Sequence, residues 1–317
     1  MSDLLVIALP SKGRLKEQAE SWLNDCGFRL ETEGGERGYR ARLKGLPGAE
    51  VRLLSAGDIA GALAAGEVHA GVTGEDVIRE QGEDVDSRVM LLRPLGFGRA
   101  DLVVAAPQGW IDVATMGDVE EVAALYLART GRRLRVATKY GVQTRSFFAA
   151  RGVADYRIVE SMGATEGAPG AGAAELVVDI TTTGATLAAN NLKILDDGVI
   201  LKSQAQLAAS LARSWSEGQI AVMRRLMSVV EAKARASGLA ALRWPAENDA
   251  AADKVTVRFV SEGARRSDGL LVREADLFDA AEALAAAGVG PVSVTRPDYV
   301  FEAASPTMDL LASRVSR

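Results

Sequence analysis

Three observations predict an α/β protein of more than one domain. The first 210 residues alternate short apolar runs with stretches whose apolar residues recur at helical spacing, as expected for strands and helices in turn. The length, 317 residues, exceeds the size at which one hydrophobic core usually keeps growing, so two or three domains are expected. The run Asp179-Ile-Thr-Thr-Thr-Gly-Ala-Thr186-Leu then places an acid at a strand end and a hydroxyl-rich glycine turn at a helix start.

In order, Leu4 to Leu9 reads as a strand and Leu15 to Cys26 as a helix. Val51 to Leu54 is a strand, Asp58 to Ala65 a helix, Ala70 to Val72 a strand, and Gly74 to Gln81 a helix entered through Thr73. Leu95-Gly-Phe-Gly98 opens a second unit with strand Asp101 to Ala106 and helix Val119 to Arg129. Strand Leu134 to Thr138, helix Val142 to Arg151 and strand Tyr156 to Glu160 continue it. Strand Leu176 to Ile180 closes this unit, Ala185 to Asn191 is a helical turn, and after Thr186 the chain is expected to return to the first unit. Largely parallel sheets in two lobes would leave a cleft beyond the carboxyl ends of the strands.

The character changes near residue 204. A helix is expected from Gln206 to about Ala236, with Leu207, Leu211, Trp215, Ile220, Met223, Leu226 and Val230 as its apolar stripe. A polar, alanine-rich linker, Ala246 to Asp253, precedes a smaller unit. In it Val255, Val257 and Phe259 alternate as a strand, Gly269 to Val272 form another, and Ala275 to Ala287 form a helix ending at Gly288. Strands at Pro291 to Thr295 and Tyr299 to Glu302 follow, and Ser305-Pro306 opens a last helix.

A net charge of -5 without a basic run interleaved with aromatics argues against a nucleic-acid surface. No apolar run approaches the roughly eighteen residues of a bilayer span, and Met-Ser-Asp-Leu-Leu lacks a basic targeting region, so no membrane partner and a cytoplasmic place are expected. The single cysteine, Cys26, reads as a packing residue. The single histidine, His69, excludes a histidine-based triad by count and reads as a core residue with a backbone partner.

Chemistry concentrates in the 179–187 run. Unpaired amides at a helix start attract a phosphate, and Thr181, Thr182, Thr183 and Thr186 add hydroxyls. Asp179 can accept hydrogen bonds from neutral sugar hydroxyls, so one turn could hold both ends of a ribose 5-phosphate. A strand followed by Thr-Gly-x-Thr is also an ordinary capped helix entrance. Upstream, Glu166 is followed at fixed intervals by Gly172, Ala174, Val177 and Asp179. The pattern from Glu166 through Leu187 resembles the signature of the ATP phosphoribosyltransferases that open histidine biosynthesis. Ile7-Ala-Leu-Pro-Ser-Lys-Gly-Arg-Leu15, Gly71-Val-Thr-Gly-Glu-Asp76, and Arg135-Val-Ala-Thr-Lys-Tyr140 with Thr144-Arg145 and Phe147-Phe148 are similar to three further blocks of that family.

The resemblance implies a two-lobed catalytic part, related in fold to periplasmic binding proteins, with residues 1–94 and 182–212 in lobe I and 95–181 in lobe II. It also implies a C-terminal, regulatory-like α+β domain of ferredoxin-like type over 213–317, carried chiefly by Asp276 to Gly288. The implied reaction transfers the phosphoribosyl group of phosphoribosyl pyrophosphate to N1 of ATP and releases pyrophosphate, with Mg2+ as cofactor. Phosphoribosyl pyrophosphate is expected on Glu166, Glu175, Asp179, Thr182, Thr183, Gly184, Ala185 and Thr186. The nucleotide or pyrophosphate is expected on Lys12, Gly13, Arg14, Thr73, Gly74 and Asp76. No acid or base catalyst is assigned, because aligned reactants and neutralised pyrophosphate matter more here than a strong base. Histidine as feedback inhibitor and a homo-oligomer, dimer or hexamer, complete what the resemblance implies.

The chain departs from the family in places. Ser55-Ala-Gly57-Asp58-Ile stands where many members read Arg-x-Arg-Asp-Ile, leaving Arg52 as the nearest substitute. His69 stands where an acid is usual, and only Leu239 to Pro245 and a loop stand where the tail normally has a full strand and helix. Two other readings remain open at this point: a phosphoribosyltransferase acting on another base, and a non-catalytic subunit that binds a small anion.

Overall fold

The computed structural model describes residues 4–32, 40–259, 265–266 and 269–316. The chain divides into two compact units, one built from Phe28–Gln219 with the segments before Asp25 and after Leu310, the other from Ile220–Leu310 with Asp25–Gly27.

The first unit begins with β1 (Leu5–Pro10), α1 (Gly13–Asp25), β2 (Arg29–Thr32), β3 (Arg40–Lys44), β4 (Ala49–Leu54), α2 (Ala56–Ala65), β5 (Ala70–Gly74), α3 (Glu75–Arg79), α4 (Val85–Arg88) and β6 (Val89–Pro94). It continues with β7 (Ala100–Pro107), α5 (Met116–Thr130), β8 (Leu134–Thr138), α6 (Gly141–Ala150), β9 (Tyr156–Glu160), β10 (Leu176–Thr181), α7 (Ala185–Ala189), β11 (Leu192–Ser203) and β12 (Ala205–Ser210). Two sheets result, and each marks a lobe. The seven-stranded sheet runs β2-β3-β4-β1-β5-β12-β6 and the five-stranded sheet β11-β7-β10-β8-β9. Both are mixed rather than largely parallel: β1 is parallel to β4 and β5, and β8 to β9 and β10, while β12 and β7 run antiparallel to their neighbours.

All six residues of β1 are buried, as suits a central strand covered on both faces. His69 is buried too, and its Nδ1 accepts from the Val6 amide at 2.9 Å. One lobe closes over Ile59, Leu63, Val68 and Ile78. The other closes over Val104, Met116, Leu134, Phe148 and Leu176.

Two expectations for this unit fail. Residues 205–210 are not the start of a long helix but β12, every residue of it buried between β5 and β6. Ala-Gln-Leu-Ala-Ala-Ser has good helix formers, but a central position in a sheet overrides that weak local preference. The chain also does not leave the second lobe after Thr186. β11 pairs along β7 in the five-stranded sheet, bulging between Ile194 and Val199, so the return falls at Gln204. There the two crossing segments lie side by side: the Leu95 amide donates to Ala205 O and the Ala205 amide to Phe97 O, both at 2.9 Å. The Gln204 side chain accepts from the Gly96 amide at 3.1 Å.

Helix α8 (Glu217–Ala236) leads into the second unit. That unit holds β13 (Leu239–Arg243), α9 (Asp249–Thr256), β14 (Arg265–Arg266), β15 (Gly269–Arg273), α10 (Leu277–Ala286), β16 (Ser293–Thr295) and the start of α11 (Pro306–Val315). Its sheet, β14-β15-β13-β16, is antiparallel throughout, and its core gathers Ala240, Leu242, Leu270, Val272, Ala280 and Leu284. The expected linker at 246–253 and strand at 255–259 are instead a short 3-10 turn and α9, with Ala252 and Thr256 as its buried face. Strand β13 and α9 thus supply a strand and a helix where the sequence shows only Leu239 to Pro245 and a loop. Residues 299–302 belong to no strand.

Candidate active site

The turn after β10 leaves the anticipated chemistry open to a ligand. Strand β10 carries Leu176, Val177 and Val178 into the core, and Asp179, half-buried, lies two residues before its end at Thr181. Thr182, Thr183, Ala185 and Thr186 are exposed. Thr181 Oγ1 accepts from the Gly184 amide at 2.8 Å, and Gly184 takes a left-handed φ of 75° that turns the chain into α7. The Ala185 amide has only a long contact, 3.4 Å, to Thr183 Oγ1. Among the described residues, no protein acceptor meets the Thr183 and Thr186 amides. Helix α7 has five residues and aligns few peptide dipoles, so attraction for an anion rests on individual amides and hydroxyls rather than on a helix field.

Burial pushes the Asp179 carboxyl above the ordinary aspartate range. The Ile180 amide, donating to Asp179 Oδ1 at 2.8 Å, and the nearby Lys139 charge oppose that rise, while Glu166 adds to it. Asp179, Glu166 and Lys139 therefore share one electrostatic neighbourhood. Glu166 sits on a short 3-10 turn, Thr165–Gly167, half-buried.

Glu175 is not brought to this place. It precedes β10, about 20 Å of extended chain from Thr182, and is tied to Arg135. The Arg135 amide donates to Glu175 Oε2 at 2.7 Å, the guanidinium reaches Oε1 at 2.5 Å, and Tyr126 Oη donates to Oε1 at 3.2 Å. Burial raises the Glu175 carboxyl, but the Arg135 hydrogen bonds and charge outweigh it and hold the group below its usual range.

Lys12, Gly13 and Arg14 form the exposed entrance to α1, with Gly13 at φ 72°. Both this entrance and the turn reach the crossing segment. A Cβ on Gly98 would stand 3.1 Å from Leu15, in the first turn of α1, and Thr182 Oγ1 lies 3.4 Å from Arg99 O.

The second glycine turn is different. Thr73 is fully buried and donates to Ala56 O at 2.9 Å, and Asp76 is buried and accepts from Tyr140 Oη at 2.8 Å and Ser203 Oγ at 2.9 Å. Gly74 leaves no room for a Cβ, because Asp76 Oδ1 occupies that space. Arg52 lies within β4 and pairs with Glu50 at 3.5 Å.

The chain matches the model described as "HisG: ATP phosphoribosyltransferase" over residues 55–231, more than half its length. An ATP phosphoribosyltransferase of Caulobacter vibrioides (strain NA1000 / CB15N) is 68% identical over 313 residues, covering 98% of both chains. This chain belongs to the ATP phosphoribosyltransferase family. Another member, from Bradyrhizobium sp. (strain ORS 278), is 49% identical over 314 residues, covering 96% of this chain and 97% of that one. Among solved structures, the ATP phosphoribosyl transferase (HisG:HisZ) complex from Thermotoga maritima superposes with a TM-score of 0.54 at 26% identity, covering 72% of this chain and 99% of that one.

The chain is thus a long-form-like ATP phosphoribosyltransferase, a pentosyltransferase catalysing the first step of histidine biosynthesis. That excludes the non-catalytic and other-base readings. Among the described residues no helix is long and apolar enough to cross a membrane, and no three His, Cys, Asp or Glu side chains converge as a metal cage. Mg2+ typically takes one or two carboxylates, with substrate phosphates and water filling the rest of its shell. Asp179 and Glu166, which share one electrostatic neighbourhood, are carboxylates of the kind such a metal would take.

What sequence reading missed is the set of partners around Asp76. Tyr140, Gln143 and Ser203 lie 64 to 127 residues away in the chain, and no local pattern signals such pairing.

Proposed function

We propose that phosphoribosyl pyrophosphate binds on the Asp179–Thr186 segment, with its 5-phosphate on the amides and hydroxyls of Thr182, Thr183, Gly184, Ala185 and Thr186 and its ribose hydroxyls on Asp179. The observation that carries this reading is the exposed turn whose Thr183 and Thr186 amides have no protein acceptor among the described residues, directly after a half-buried carboxylate. The Gly184 amide contributes only if Thr181 Oγ1 releases it. Lys12 and Arg14, across the crossing segment, are the cations we assign to the pyrophosphate or the ATP phosphates. Magnesium, held by Glu166 or Asp179 together with substrate oxygens, would neutralise the leaving group. Glu175 fixes the far end of β10 rather than touching the sugar.

Departure of pyrophosphate develops positive charge at the anomeric carbon, so the site acts by alignment and by charge placement. The Asp179 carboxylate, placed beside the ribose, stabilises that developing charge. The adenine N1 supplies its own lone pair, so no side-chain base is required. The C-terminal unit, with a core of its own, is the part we assign to histidine inhibition and to assembly into a dimer or hexamer of a cytoplasmic enzyme.

Initial rates with ATP, phosphoribosyl pyrophosphate and magnesium, followed by ultraviolet absorbance of the product, test the seat. Thr186→Val is expected to raise KM for phosphoribosyl pyrophosphate and leave KM for ATP unchanged. An effect confined to ATP would remove the turn from the site.

A further inference from the structure

A densely bonded polar cluster of the first unit lies where α3 of one lobe meets α6 of the other, near enough to the proposed seat for Tyr140 to feel the Asp179 charge. Asp76 is held from two sides: Tyr140 Oη donates to Oδ2 at 2.8 Å, and Ser203 Oγ, at the end of β11, donates to Oδ1 at 2.9 Å. Its own amide donates to Ser203 Oγ at 3.0 Å, and its carbonyl accepts from the Gln143 side chain at 2.9 Å. One turn further, Glu80 accepts from the Val142 amide at 2.7 Å and the Gln143 amide at 3.3 Å. Those amides open α6 and have no partner within that helix, so a carboxylate of one lobe caps a helix of the other. Tyr140 is 1% exposed. Burial and then the Asp76 charge push its hydroxyl far above the ordinary tyrosine range, so it remains a proton donor at any working pH.

We propose that Tyr140 and Glu80 are positioning residues which, together with Asp76, fix the angle between the two lobes and thereby the separation of the 182–186 turn from the loop at Lys12 and Arg14. The inference rests on the substrate seat proposed above. The cluster suits this role because it joins three parts that must move if the lobes open: α3 in the first lobe, α6 in the second, and the end of β11, where the chain crosses back. Gly74 belongs to the same device, since any side chain there would expel the Asp76 carboxylate. A substrate reaching across the cleft gains from lobes already set at the right angle; with the strut cut, binding must supply that ordering and apparent affinity falls.

The experiment compares the full-length wild type with Tyr140→Phe, Glu80→Ala and Glu80→Gln in steady-state kinetics and in amide exchange of a peptide spanning residues 140–146. Loss of a hydrogen bond to a carboxylate is expected to raise KM for phosphoribosyl pyrophosphate about tenfold in Tyr140→Phe and Glu80→Ala, with kcat within about threefold of wild type. In Glu80→Ala the Val142 and Gln143 amides exchange faster. Glu80→Gln keeps an acceptor and should restore KM to within about twofold of wild type. Unchanged KM in both Tyr140→Phe and Glu80→Ala, or a fall in kcat alone, would overturn the proposal; so would a Glu80→Gln enzyme as impaired as Glu80→Ala. Thr186→Val separates the two readings. If its KM is normal while exchange in Glu80→Ala is fast, the seat is wrong and the strut stands; if its KM rises while the strut variants behave as wild type, the reverse holds.

Discussion

Two glycine turns follow strands in this enzyme, and they do opposite things. Gly71-Val-Thr-Gly, the last residues of β5, and Thr183-Gly-Ala-Thr after β10 are loosely alike in sequence, each with a threonine beside the glycine and an aspartate within a few residues. At the first, Thr73 is buried with its hydroxyl on Ala56 O, and Asp76 is enclosed by Tyr140 and Ser203. At the second, the threonines are exposed and Asp179 is half-buried with only the Ile180 amide on its carboxylate among the described residues. The same residue types form a strut where side chains distant in sequence enclose them and a candidate seat where their partners are mainly neighbouring backbone amides. Composition of a turn therefore says little about its role until its hydrogen-bond partners are known.

The largest effect expected from breaking this contrast is Asp179→Ala. Losing the carboxylate beside the developing charge should cost about a thousandfold in kcat/KM, with circular dichroism unchanged. Activity within tenfold of wild type would place the ribose elsewhere.

A paired substitution sharpens the comparison at smaller scale. Thr186→Val removes an exposed hydroxyl proposed to face the 5-phosphate, and KM for phosphoribosyl pyrophosphate should rise roughly 10- to 100-fold at unchanged melting temperature. Thr73→Val is nearly the same chemical change at the buried turn. It leaves Ala56 O without that donor, so about 1–3 kcal/mol of stability should be lost, lowering Tm by roughly 2–8 °C, with KM for either substrate little altered. If Thr73→Val instead raised KM for ATP without lowering Tm, the turn after β5 would be a nucleotide contact after all.

How much of this was legible in the sequence follows from the range of the interactions involved. Strands β8 and β9 were placed to the residue, because an apolar run bounded by turn residues is a local signal. The strand feeding the turn was placed for the same reason. Strand β12 is not legible locally, because Ala205 to Ser210 carries helix-forming residues and its strand state comes from β5 and β6 on either side. Helix α9 hides behind the alternation of Val255 and Val257, which suggests a strand although Val257 is 74% exposed and lies beyond the helix end. At the site, the acid and hydroxyls were visible as residue types. Whether Asp76 or Asp179 was open was not, since that depends on Tyr140 and Ser203.

The smallest expected effects come from the two carboxylates that flank β10, shifted in opposite directions. Glu175, held below its ordinary value by Arg135 despite its burial, stabilises the fold above its unfolded pKa of 4.5, and that contribution is lost as pH falls through the lower folded value. Asp179, raised by burial, works the other way: the folded state carries a penalty at neutral pH that is relieved as pH falls through the raised folded value, and is absent below 3.8. Glu175→Gln should therefore lower Tm at pH 7 by roughly 2–4 °C, a deficit that shrinks in acid. Asp179→Asn should match or slightly exceed wild-type Tm at pH 7, an advantage that also shrinks in acid, while turnover is lost. Melting curves from pH 4 to pH 8 check both. A lower Tm for Asp179→Asn at neutral pH would mean that this carboxylate is a structural anchor like Glu175. The difference between the two ends of β10, one closed by an arginine and one left for a ligand, would then disappear.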